Sequence, residues 1–285
     1  AAAVVVAAVA GWWFFWSGAP RPVAIAIMPF ANETGQSEFN FVTQGLTAEL
    51  GRLYPASGAV SVVPIGDLAH GPVRPEEVIK SSRARGADFI QSGRLLRRGG
   101  AIELEYRLMS ATGSRLWTDR MPLSARNFQT MVRQVYRQNM TWLNVPPADP
   151  EMEINPTAYE LYLKGIGKIQ DMSHGEAAAF AEAKAFLERG LQIEPSVILY
   201  AGLAELHFQA VNTWNSLEPE SLSYSRYYLE KGQALQPDYG PLLRLSVLLD
   251  IQQGRMEEAM HTLAEQFRAD RLELMQFNQA ATIFR

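Results

Sequence analysis

The sequence predicts an α+β domain, a mixed sheet with helices in the order β-α-β-α-β-β-β-α. An all-α domain of repeated helical hairpins follows it, and the remnant of a transmembrane helix precedes it. Three observations carry this expectation. Residues 23–30 (VAIAIMPF) are almost continuously apolar, as in a strand covered on both faces. After Arg98-Gly99-Gly100, Ile102, Leu104, Tyr106 and Leu108 alternate with Glu103, Glu105 and Arg107, the pattern of a hairpin strand with one packed and one wet face. Beyond the Pro-rich acidic stretch 144–156 (NVPPADPEMEINP), strand patterns stop and helical periodicity takes over.

Residues 1–16 (AAAVVVAAVAGWWFFW) carry no charge and end in Trp12, Trp13, Phe14, Phe15 and Trp16, rings that suit the membrane–water boundary. At about 1.5 Å per residue they cover roughly 24 Å, short of the roughly 30 Å hydrocarbon core, so the segment reads as a truncated membrane span. A signal peptide is the rival reading, and the bulky aromatic end speaks against it. Residues 17–22 (SGAPRP) are a linker that stops this helix.

The α/β domain is read over 23–143. A helix over 38–53 places Phe41, Leu46, Leu50 and Leu53 near helical spacing, and 59–64 is a second strand. A second helix over 74–86 has Pro75 near its start and Gly86 past its end. Residues 87–98 form the third strand, the hairpin follows, and ATGS turns the chain into a last strand. Met131, Val132, Val135, Tyr136 and Met140 then mark a closing helix over 127–143.

Residues 144–156 are read as the domain boundary, with helical repeats over 157–285. FLERGLQIEPS and YLEKGQALQPD resemble each other, and their prolines, Pro195 and Pro237, end helices. Counted back from Pro195, Ala183, Leu187 and Gly190 fall where a tetratricopeptide (TPR) second helix has small, large and small residues; Leu229 and Gly232 do the same before Pro237, and Ala259 and Leu263 match after it. About three degenerate TPR-like hairpins result, with a final helix from Arg271.

The 285 residues, 47% of them hydrophobic, can fill two modest cores. A net charge of −4 argues against a nucleic-acid surface on this chain. The densest basic cluster, Arg94, Arg97 and Arg98, flanks the Gly-Gly turn and is expected to face water. With no cysteine, thiol catalysis, disulfides and thiolate-held metals are excluded.

The stretch AIMPFANETGQSEFNFVTQGLTAEL resembles the opening of TolB-amino-terminal-like domains, and GADFIQSGRLLRRGGAIELEYRLMSATGSRLWTDR resembles the later strands of that family. NPTAYELYLKGIG is similar to the start of the repeats that follow in those proteins. The similarity runs in order over roughly residues 23–270. It departs from the family pattern at Asn32-Glu33-Thr34-Gly35-Gln36, which lacks the usual Asp-Pro, and at Ala48, where Glu is common. The resemblance implies the extracytoplasmic part of CadC/ToxR-like transmembrane regulators or of related adenylate/guanylate cyclases. It implies a single pass through the bacterial inner membrane, with residues after about 17 in the periplasm. A winged-helix DNA-binding head is the favoured output; a class III nucleotidyl cyclase is an alternative, as is a non-signalling TPR scaffold in the envelope. The partners expected are the membrane, a protein or small-molecule ligand, and a second copy of the chain.

The loop over 31–36 is the first candidate site. Asn32 and Thr34 sit before a helix start, where N–H groups can hold an anion. Glu33 would repel a phosphate, there is no P-loop spacing, and Asn and Thr are ordinary turn formers. KGIGK (164–168) lacks nucleotide-loop spacing and reads as small residues that let helices approach closely. His70, His174, His207 and His261 show no metal-ligand spacing, and His207 on GLAELHF reads as a packing residue. No catalytic triad, paired-carboxylate, metal or cofactor motif is legible, and the chain is expected not to be an enzyme. Stacked hairpins leave a concave groove. Trp214, Tyr224, Tyr227 and Tyr228 are candidates to line it, though each taken singly reads first as repeat core.

Overall fold

The computed structural model describes residues 21–64, 75–123, 128–148, 153–173, 177–214 and 219–268. The span read over 1–16, His70, His174 and the helix expected from Arg271 lie outside them. Among the described residues no helix is long and apolar enough to cross a membrane.

The sheet is mixed. β1 (Val23–Ile27), β2 (Ala31–Glu33), β3 (Val60–Val63), β4 (Phe89–Arg98), β5 (Ala101–Ser110) and β6 (Leu116–Pro122) form one sheet in the order β3-β1-β4-β5-β6. β1 pairs in parallel with β3 and β4, while β4–β5 and β5–β6 are antiparallel. The apolar run of β1 is buried because both faces are covered. Ile25 and Ile27 enter the main core, whereas Ala26 joins Val78, Ala87 and Ile90 beneath α2 (Pro75–Ala84). α1 (Asn40–Leu53) and α3 (Phe128–Trp142) supply the main-core side with Val42, Leu46, Leu50, Val132, Val135 and Tyr136. Between the helices and the sheet, Asn139 donates to the Tyr54 hydroxyl at 2.7 Å, and Tyr54 donates to Gln91. Gly99 and Gly100, at φ 54° and 88°, make the β4–β5 turn, a backbone that few other residues adopt.

Two expectations are corrected. The stretch expected to be loop throughout begins with a strand: β2 pairs in parallel with Arg94–Leu96 of β4, adding an element to the expected order. The wet face of the hairpin is not wet at Glu105, whose side chain is 1% exposed. Register across three strands brings Arg94, Arg107 and Arg120 onto its two oxygens. Burial alone would raise this carboxyl, but the guanidiniums outweigh it and hold it at about 2. The basic cluster at the turn faces water as expected at Arg97 and Arg98, and each of its members has a partner: Arg94 with Glu33 and Glu105, Arg97 with Gln36, and Arg98 with Glu103.

Residues after 153 are helical. α4 (Pro156–Ser173), α5 (Ala177–Ile193), α6 (Val197–Trp214), α7 (Pro219–Leu235), α8 (Gly240–Gln252) and α9 (Met256–Arg268) follow one another, each packed on the next. Asn155 caps α4, accepting from the Thr157 amide at 2.9 Å, with Pro156 at the first helical position. Ala183, Leu187, Leu229 and Ala259 are buried. A Cβ at Gly190 would lie 2.6 Å from Leu199, and one at Gly232 2.4 Å from Leu242, so each of these glycines lets the next helix approach.

The hydrophobic core does not stop at the 144–156 stretch. One contiguous cluster runs from Ile25 through α1 and α4 to Leu249.

Candidate functional site

The site is built where α1 meets the helical region. α1 packs across α4, and α4, α6 and α8 are successive neighbours, the first helix of each pair. The close approach has a sequence cause. A Cβ at Gly45 would fall 2.8 Å from the Leu163 carbonyl oxygen, and one at Gly167 3.1 Å from the Cβ of Gln44. Of the two glycines in KGIGK, Gly167 therefore faces α1, while Gly165 admits Leu187 of α5, whose Cγ lies 2.5 Å from the position of a Cβ there. Gln44 Nε2 donates to Asp171 at 2.8 Å, and the Lys164 ammonium lies 4.7 Å over the Phe41 ring.

At the centre of this interface is a buried polar clamp. Arg52 donates to both oxygens of Glu49, at 2.8 and 2.5 Å, and to the Tyr239 hydroxyl at 2.6 Å. Tyr162 donates to Glu49 at 2.6 Å. Glu49 is 3% exposed and Tyr239 is buried, so the charge pair depends on these bonds. Burial alone would lower the Arg52 guanidinium's pKa, but Glu49 outweighs it and the value is raised. Burial pushes the Tyr239 hydroxyl up to about 12, with Arg52 opposing. The clamp joins residues of α1 and α4 to Tyr239, which leads into α8.

Beside the clamp lies a cavity of about 340 Å³, at the small end of the range for ligand pockets. Ala48 and Gly51 of α1 line one side, with Ile166 and Ile169 of α4, Ala201 of α6 and Leu245 of α8 opposite. Its polar groups are Arg52, Tyr162, Gln170, Glu205, Gln209 and Arg244. Both the sheet-bearing part and the helical part thus contribute walls.

The residues singled out from sequence lie elsewhere or are not fully described. Asn32 sits in β2 and Thr34 just after it, and the two bond each other and the loop that follows. Asn32 donates to the Gln36 carbonyl at 2.8 Å and to Asn40 at 2.7 Å, and its oxygen accepts from the Thr34 hydroxyl at 2.6 Å. Neither lines the cavity. Trp214 ends α6. Tyr224 and Tyr227 are 50% and 51% exposed, against their expectation as core, and Tyr228 is half-buried. Glu49, Arg52, Tyr162 and Arg244 escaped sequence reading. A signal for Glu49 was present: Val42, Leu46, Glu49 and Leu53 share one helical stripe, which places a carboxylate among buried apolar residues.

His207 is buried, as its helix position suggested, with Phe180 edge-on at 5.3 Å and Tyr224 and Tyr228 at 5.2 and 5.7 Å. Neither ring nitrogen has a hydrogen-bond partner among the described residues. Burial and then Lys184 push its pKa from 6.5 down to about 4, with Glu188 opposing. The unfolded chain therefore takes up this proton at a higher pH than the folded one. The contribution is complete above pH 6.5 and is lost as pH falls toward 4. His207→Phe is expected to remove up to about 2–3 kcal/mol of pH-dependent destabilisation across that window. Urea midpoints of both proteins above and below the window check it. Among the described residues, no group of three or more His, Asp and Glu stands close enough to hold a metal.

No family model matches the chain. A Rhizobium meliloti (strain 1021) protein named "Putative adenylate cyclase 3" is 25% identical over 260 residues, which covers 85% of this chain and 42% of that protein. The chain thus spans less than half the length of this curated relative. Among solved structures, TolB from Acinetobacter baumannii superposes with a TM-score of 0.34 at 17% identity, over 46% of this chain and 30% of that one. The LpoB C-terminal domain from Escherichia coli gives 0.27 at 16% identity, over 38% and 86%. Lipoprotein GNA1162 from Neisseria meningitidis gives 0.29 at 16%, over 42% and 97%.

Proposed function

We propose that this chain is the sensing and interaction region of a membrane-anchored bacterial signalling protein, held outside the cytoplasm, and that it passes occupancy of the α1 groove to an output region. The observation behind the reading is that one cavity has walls from both the sheet-bearing and the helical part. A molecule seated there touches both, so its affinity depends on their relative arrangement. Only such a difference lets a ligand bias two states. In this reading the helical part is TPR-like, in keeping with the parallel roles of Gly190 and Gly232, and residues 1–16 are the anchor. The CadC/ToxR-like resemblance implies a winged-helix output. The name and greater length of the Rhizobium meliloti relative favour a nucleotidyl cyclase instead. Either way the present chain senses and leaves catalysis to the output region.

A disulfide lock tests it. The Cβ position at Gly167 is 3.1 Å from that of Gln44, a few tenths of an ångström closer than the roughly 3.5–4.5 Å of a disulfide, so a small outward shift of α4 suffices, and the chain has no cysteine of its own. In the full-length protein carrying Gln44→Cys and Gly167→Cys, oxidation is expected to freeze the output (target transcription for a winged helix, cyclic-nucleotide synthesis for a cyclase) at one level whatever the stimulus, and reduction to restore the response. Equal responses of the oxidised and reduced forms would leave the region a passive scaffold.

A further inference from the structure

We infer that the cavity beside the clamp is a binding site for a small monocarboxylate with an apolar body. The inference rests on reading this groove as the sensing site. Its wall is mostly apolar, from Ala48, Ile166, Ile169 and Leu245, so the body of the ligand is hydrocarbon rather than sugar or phosphate. The charge of its head follows from how the polar residues are already used.

Arg52 spends three N–H groups on Glu49 and Tyr239 and is neutralised there. Arg244 is different. Its nearest carboxylate oxygen, on Glu205, lies 3.7 Å away, beyond hydrogen-bond reach, and no acceptor among the described residues bonds its guanidinium. Glu205 is itself held at its other oxygen by Gln209 at 2.7 Å. Arg244 is 29% exposed, so its fork of donors is partly withdrawn from water yet unfilled. A carboxylate fits that fork with two parallel bonds, and an ammonium would meet two guanidiniums against the single lining carboxylate of Glu205. Gln170 lines the same cavity, and its side-chain amide bonds no other described residue.

Seated this way, the head bonds α8 while the hydrocarbon body lies between α1 and α4. The ligand therefore bridges the two parts and favours their closed arrangement.

Octanoate, octylamine and octanol share one body and differ in the head, which makes them suitable probes by calorimetry and thermal melting of the intact chain. Octanoate is expected to bind and to raise Tm with the logarithm of its concentration above Kd, with both alternatives about tenfold weaker or more. Arg244→Gln, at a partly exposed position, is expected to keep the wild-type melting temperature and bring octanoate down to the level of octanol. Ala201→Phe, which fills the cavity, is expected to abolish binding of all three; Ala48→Leu serves the same purpose should the larger ring disturb α6. Absence of octanoate binding by the folded wild type overturns the inference, as does octylamine binding equally well or full octanoate affinity in Arg244→Gln. The disulfide lock separates the two claims. A working lock without carboxylate binding leaves the sensing site with another ligand, whereas carboxylate binding with an inert lock leaves a binding site that does not signal.

Discussion

Arg52→Ala is expected to destabilise the protein by about 3–5 kcal/mol, because it leaves Glu49 buried without its counter-ion. The Glu49 carboxylate, 3% exposed, would keep one bond, from Tyr162, and lose two from the guanidinium. Tyr239 would lose its donor as well. The size of this effect measures an unpaired charge, not the worth of the pair. The double variant Glu49→Leu with Arg52→Met removes both charges and keeps similar volume, so it is expected to recover most of the loss, or more. Chemical denaturation of both variants beside the wild type decides the matter. A loss below about 1 kcal/mol for Arg52→Ala, the usual value of an exposed pair, would mean that water reaches Glu49 and that the clamp is a surface bridge. The comparison also bears on the interface as a whole. The clamp's four residues lie on α1, on α4 and just before α8, so its loss should weaken the contact of the sheet-bearing part with the helices rather than either part alone.

What could be read ahead of the structure and what could not divide along contact range. β1, the β4–β5 hairpin and the helical turn signals were legible because their patterns are local: a continuous apolar run, a period of two after Gly-Gly, and Pro and Gly at helix ends. β2 was missed because ANE has no strand composition and its strand pairing is with residues over sixty positions away. Glu105 looked like a solvated strand residue because two of its three arginines, Arg94 and Arg120, arrive through the register of the neighbouring strands, and only Arg107 is local. The clamp was hidden for the same reason. Glu49 and Arg52 stand only three apart, while Tyr162 and Tyr239 come from 113 and 187 positions away. The cavity inherits this difficulty: each wall residue is unremarkable in its own helix, and only the crossing of α1 over α4 brings the walls together. The small residues that permit the crossing were visible in KGIGK, yet their partner on α1 was not.

That crossing gives the second large effect, and it can be tested for sign as well as size. Gly45 and Gly51 both lie inside α1, where Ala is intrinsically better than Gly by about 1 kcal/mol. Gly51→Ala is expected to show that gain, because the nearest heavy atom to its Cβ is Ile27 Cδ1 at 3.9 Å, an ordinary contact. Gly45→Ala is expected to go the other way, with a net loss of about 2–3 kcal/mol. Its Cβ would stand 2.8 Å from the Leu163 carbonyl oxygen and 2.9 Å from the Leu163 Cβ. A flexible side chain could swing aside, but a carbonyl oxygen in the middle of α4 cannot move unless the whole helix does. Relief must come from separating α1 and α4, which would also lengthen the Gln44–Asp171 and Tyr162–Glu49 bonds. Thermal melts of the two alanine variants should therefore move in opposite directions from the wild type. If Gly45→Ala stabilised the protein as Gly51→Ala does, the two helices would not touch at that point. The shared cavity, whose walls depend on the same crossing, would then open.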